Sequence, residues 1–130
     1  MRTQDTGENN MKKVMIVDDE DNMVTLLRYN LEGAGYQTIS AGSGESALRL
    51  AQSETPDFVV LDCMMSGIDG YETCRRFKQH PQLQDIPIMM VTCCSGTVDT
   101  IRGLEAGVVD YVTKPVDPAE IVARVQTHLR

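Results

Sequence analysis

Hydrophobic residues fall along this chain in short uninterrupted runs separated by longer periodic stretches. The runs are Val14, Met15, Ile16 and Val17; Phe58, Val59, Val60 and Leu61; Ile88, Met89, Met90 and Val91; and Val108, Val109, Asp110, Tyr111 and Val112. Runs of four or five apolar residues read as strands covered on both faces, the mark of a parallel sheet. A weaker, more polar run at Tyr36, Gln37, Thr38, Ile39 and Ser40 reads as an edge strand.

Between the runs the spacing changes to that of helices. Met23, Leu26, Leu27 and Leu31 lie on one helical stripe, and Ala47, Leu48 and Ala51 on another, after Ser43 as a cap. Asp69 and Glu72 have capping-box spacing ahead of Cys74 and Phe77. Val98, Ile101 and Leu104 form a stripe that stops at Gly107, a residue suited to the position after a helix. Asp117, Pro118 and Glu120 place a cap, a first-turn proline and a first-turn acid before the stripe of Ile121, Val122, Val125 and Leu129. Five strands alternating with five helices predict one doubly wound α/β domain with helices on both faces. Polar residues 1–11 read as a flexible N-terminal tail, and residues 12–130 as the domain.

Composition narrows the function. Hydrophobic residues are 42% and charged residues 24% of the 130, an ordinary globular balance. No apolar run approaches the roughly 18 residues of a membrane span, and the N-terminus lacks the apolar core of a secretory signal. A net charge of −7 argues against direct nucleic-acid binding through phosphates and against anionic membranes. Cys63, Cys74, Cys93 and Cys94 have no zinc spacing and read as reduced, packing cysteines of a cytoplasmic protein, with adjacent Cys93 and Cys94 as a less favoured redox pair.

In open α/β sheets ligands bind beyond the carboxyl ends of the strands. There this chain places Asp18, Asp19 and Glu20 after the first run, Asp62 after the third, Thr92 after the fourth and Lys114 just past the fifth. With strand order 2-1-3-4-5, Asp18, Asp19 and Asp62 share the crevice between strands 1 and 3. Singly, Asp18 or Asp19 reads as a helix cap and Asp62 as a turn residue. Together, three carboxylates against one lysine call for a divalent cation, and oxygen donors suit Mg²⁺. An aspartate beside such an ion can attack a phosphoryl group, with Lys114 and Thr92 as cation and hydroxyl for its oxygens.

These residues resemble the receiver domain of two-component response regulators over about residues 12–129. The resemblance rests on Val17, Asp18, Asp19 and Glu20; on Leu61, Asp62 and the segment to Gly70; on Val91 and Thr92; on residues 103–107; and on Asp110, Tyr111, Val112, Thr113, Lys114 and Pro115. It implies a flavodoxin-like fold with sheet order 2-1-3-4-5. It implies that Asp62 accepts a phosphoryl group from a sensor histidine kinase or histidine phosphotransfer protein. Asp19, Asp62 and the backbone carbonyl of Met64 would ligate Mg²⁺, with Asp18 acting mainly through water. Thr92 and Tyr111 would be the switch pair, acting on the face of the fourth helix, fifth strand and fifth helix. That face is also a candidate homodimer surface. Lys114-Pro115 matches a pair that is usually cis. The domain would be a signalling module, promoting only its own aspartyl phosphorylation and autodephosphorylation. The final helix shows no stop signal, which points to an effector domain downstream.

Departures from the family pattern are Ser66 for a usual Pro, Cys93 for a small residue and Val116 for a frequent Phe. Met64 and Cys94 stand at variable positions expected to tune dephosphorylation. Two other readings fit the topology. A flavin or nucleotide protein wants a Gly- or Ser/Thr-rich phosphate loop where this chain has Asp18, Asp19, Glu20 and Asp21. An aspartate-dependent phosphatase wants a second Asp two residues after the nucleophile, where this chain has Met64.

Overall fold

The computed structural model describes residues 12–92 and 97–130, with backbone alone for residues 97–100. Strands β1 (Lys13–Val17), β2 (Gln37–Ala41), β3 (Phe58–Asp62), β4 (Ile88–Thr92) and β5 (Asp110–Thr113) alternate with helices α1 (Asp21–Gly33), α2 (Gly44–Glu54), α3 (Gly70–Gln79), α4 (Thr97–Ala106) and α5 (Pro118–Leu129). All the strand pairs are parallel, in the order β2-β1-β3-β4-β5. This is the doubly wound, flavodoxin-like fold that the alternation predicts. The N-terminal residues 1–11 and the Cys93–Cys94 pair lie outside the described residues.

Alternate strand residues feed two cores. Met15, Val17, Val59, Leu61, Met90 and Phe77 pack on the side of α2, α3 and α4. Val14, Ile16, Phe58, Val60, Val91, Leu27, Leu31, Ile121 and Val125 pack under α1 and α5. β3 and β4 are buried at every position, as continuous apolar runs require in a sheet covered on both faces. Phe77 has no exposed surface, and its truncation to Ala would cost about 3–5 kcal/mol.

The element ends follow local chemistry, with some corrections. Ser43 caps α2 in a reciprocal capping box with Ser46. Asp69 caps α3 by accepting from the Glu72 N–H at 2.9 Å, but the reciprocal half of the expected box is missing. Glu72 turns its carboxylate to Arg75 and Arg76, since an exposed acid gains more from two guanidiniums than from one backbone amide. Asp117 caps α5, with Pro118 in the first turn. The N-cap of helix α1 is Glu20, which makes no side-chain cap hydrogen bond, so neither Asp18 nor Asp19 is the capping residue.

Two predicted core stripes are only partly buried. Leu26 is 41% exposed, while Leu27 and Leu31 carry the α1 contact. In α4 the expected stripe points outward, with Ile101 48% and Leu104 67% exposed. Small Gly103 and Ala106 face the sheet instead, which lets the helix lie close against it. The side chain of Val98 is outside the described set. Gly107 ends α4 at φ 95°, the left-handed conformation expected of it. The fifth apolar run starts before its strand: Val109 precedes β5, which is an edge strand like β2 and fully buries only Val112. Lys114-Pro115 is cis.

Candidate functional site

The carboxyl ends of β1 and β3 lie side by side, with Val17 opposite Leu61. The residues that follow therefore share one crevice. Asp18 and Asp62 are buried and Asp19 is exposed, and each can offer an oxygen within 4.8 Å of the other two. Asp18 Oδ1 accepts from the Glu20 N–H at 2.9 Å, and Asp62 Oδ1 from the Met64 N–H at 3.3 Å. Lys114 Nζ stands 3.4 Å from Asp62 Oδ1. Its own N–H donates to the Thr92 carbonyl at 2.6 Å, which carries the β4–β5 pairing one residue past the strand.

Burial pushes the Asp18 carboxyl up to about 6, and the Asp62 and Asp19 charges push the same way. The Glu20 amide and Lys114 offset this only in part. Burial works against the Lys114 ammonium, but Asp62, Asp18 and Glu20 outweigh it and hold its pKa above the ordinary lysine value. The crevice thus keeps an excess of negative charge that one lysine does not cancel. A hard divalent cation with oxygen ligands fits that donor set, and the acidic triad is typical of a receiver Mg²⁺ site.

The remaining expected residues are close by, on the other side of the sheet. Thr92 is fully buried at the end of β4 and accepts from Cys63 Sγ at 2.8 Å. The half-buried Tyr111 meets Tyr71 hydroxyl to hydroxyl at 3.3 Å. Arg102 lies over the Tyr71 ring, 4.1 Å from its centroid, and pairs with Asp69 at 3.6 Å. The sequence reading took Cys63 only as a packing cysteine within the Asp62 motif and missed Tyr71 and Arg102, because only tertiary packing joins these residues to Thr92 and Tyr111. Cys74, by contrast, is a packing thiol as expected. Burial pushes it up to about 11, and it donates to the Ala106 carbonyl at 3.0 Å.

A family model described as "Response regulator receiver domain" matches residues 14–126. The chain belongs to that family. This receiver domain is 47% identical over 119 residues to the alkaline phosphatase synthesis transcriptional regulatory protein PhoP of Bacillus subtilis, covering 92% of this chain and 49% of that protein. Among solved structures, it resembles chemotaxis protein CheY4 of Vibrio cholerae with a TM-score of 0.87 at 28% identity, covering 92% of this chain and 99% of that one. It also resembles the BeF3-activated receiver domain of DrrB of Thermotoga maritima, with a TM-score of 0.80 at 34% identity, covering 92% and 97%. The chain spans about half the length of the curated relatives it matches. Receiver domains are signalling modules of two-component systems rather than conventional enzymes, which sets aside the flavoprotein and phosphatase readings. No described helix is long and apolar enough to cross a membrane.

Proposed function

We propose that Asp62 is the phosphoacceptor of this receiver domain and that Asp18, Asp19 and Asp62 hold Mg²⁺ beside it. The gathering of three carboxylates around the Asp62–Lys114 pair carries this reading. Asp19, Asp62 and the Met64 carbonyl would be the direct ligands, and Asp18 would act mainly through water. When bound, the cation offsets negative charge on the phosphoryl oxygens and on the attacking carboxylate.

An Asp62 oxygen attacks the phosphorus of a phosphohistidine. The P–N bond breaks, the imidazole leaves with its electron pair, and an acyl phosphate remains. Lys114 pairs with one phosphoryl oxygen and the Thr92 hydroxyl donates to another. Thr92 and Tyr111 then shift the face made by α4, β5 and α5, where Ile101 and Leu104 are exposed for a partner or a second copy of the domain. The donor is a sensor histidine kinase or a histidine phosphotransfer protein, in the cytoplasm. An effector domain in the full-length protein reads the switch, as in the transcriptional regulators that this chain resembles over about half their length.

Incubation with phosphoramidate or acetyl phosphate and Mg²⁺ should add one phosphoryl group by mass spectrometry, and Asp62→Asn should abolish it. Equal modification of the Asp62→Asn protein would overturn the assignment.

A further inference from the structure

Cys63 directly follows the proposed phosphoacceptor, yet its side chain leaves the sheet by the other face. Successive residues of an extended segment alternate sides. Asp62 lines the space under α1 with Val60 and Val91, whereas Cys63 belongs to the core of Leu61, Met90 and Cys74. Thr92 follows the same alternation. Val91 packs toward α1 and α5 and Met90 toward α3 and α4, so Thr92 sits on the side of Met90 and Cys63. Asp62 pairs with Val91 in register, which leaves Cys63 beside Thr92. Their side chains meet there, Sγ to Oγ1 at 2.8 Å, with Cys63 2% and Thr92 0% exposed.

The Thr92 hydroxyl and the Asp62 carboxylate therefore point away from opposite faces of the sheet. To donate to a phosphoryl group on Asp62, the hydroxyl must come over the strand ends and leave the thiol. We propose that Cys63 is a positioning residue for Thr92: its thiol holds the hydroxyl on the α3–α4 face and opposes its engagement of a phosphoryl group on Asp62. The inference rests on the phosphoacceptor reading above and adds what sets the balance of the switch. A buried thiol is a weak donor, so the contact tunes an equilibrium between two positions of the hydroxyl without locking either.

The test is a beryllofluoride titration at saturating Mg²⁺, followed by amide NMR of the whole chain, on the unmutated protein and on Cys63→Ala, Cys63→Val and Cys63→Ser. Ala and Val remove the donor with little and with more side-chain volume, and Ser keeps a donor. Loss of one modest hydrogen bond to Thr92 should tighten beryllofluoride binding by about two- to fivefold in both Ala and Val. Ser should restore the unmutated affinity or weaken it. In a Thr92→Ala background the same Cys63 substitutions should leave affinity unchanged, because the group they act through is gone. Unchanged or weaker binding in Cys63→Ala and Cys63→Val overturns the proposal. So does an effect that persists without the Thr92 hydroxyl, which would mark Cys63 as a packing residue. If the unmutated chain takes up no beryllofluoride at Asp62, the phosphoacceptor reading itself fails; if it does and Cys63 is silent, only the positioning role fails.

Discussion

Gly103 of α4 lies flat against the ring of Tyr111: a Cβ on Gly103 would stand 3.0 Å from Tyr111 Cδ2 and 3.1 Å from Cε2. The absent side chain is the space in which the ring rests, while the Tyr111 hydroxyl reaches Tyr71 at 3.3 Å. The helix gives up about 1 kcal/mol of propensity relative to Ala at that position.

Gly103→Ala therefore sets helix propensity against the ring. In a Tyr111→Ala background it should stabilise the domain by about 1 kcal/mol. With Tyr111 present the gain should shrink or reverse, since the ring must move by a few tenths of an ångström. Urea unfolding of the four proteins of this cycle measures the difference. Equal gains in both backgrounds would show that Gly103 does not seat the ring.

The Asp18 carboxyl, raised to about 6 from an ordinary value of 3.8, gives a definite pH dependence. Between those values the folded, metal-free domain binds a proton at Asp18 that the unfolded chain has released. Stability without metal should fall as pH rises from about 4 to above 6, and Asp18→Asn should flatten that part of the curve. Mg²⁺ competes with the same proton, so its apparent affinity should drop below about pH 6. Thermal unfolding in EDTA across this range, compared with Mg²⁺ titrations, checks both signs.

The proposed ligand roles rank two substitutions. Asp19→Ala should weaken Mg²⁺ more than Asp18→Ala, because Asp19 is the proposed direct ligand and Asp18 is proposed to act through water. Binding overall should be weak, since exposed Asp19 leaves the ion open to water. Isothermal titration of the two variants decides it, and unchanged affinity in Asp19→Ala would remove Asp19 from the site.

Gly70 begins α3 where the helix presses on the strand that carries Asp62. A Cβ there would come within 2.6 Å of Cys63 Cα and 2.7 Å of the Asp62 carbonyl oxygen. Both are backbone atoms and cannot swing aside. Gly70→Ala should destabilise the domain by about 1–3 kcal/mol and disturb the Asp62 amide resonance. Full stability in that variant would mean that the α3 start can retreat from β3 at little cost.

Hydrophobic periodicity alone determined the order of the elements here, because runs such as Phe58 to Leu61 and stripes such as Ile121 and Val125 are one-dimensional signatures of burial on two faces or one. The acidic and basic residues at strand ends were equally legible, since a doubly wound sheet brings every such end to one edge. The sequence could not tell which face of α4 packs inward. Ile101 and Leu104 make the more apolar stripe, but contact with the sheet went to Gly103 and Ala106, because Tyr111 needs a helix surface without side chains beneath it. Nor could it pair Cys63 with Thr92 or Tyr71 with Tyr111, which lie 29 and 40 residues apart. Those contacts depend on strand register and on the alternation of faces across β3 and β4. Only the assembled sheet decides which neighbours a side chain meets once its strand is placed beside another.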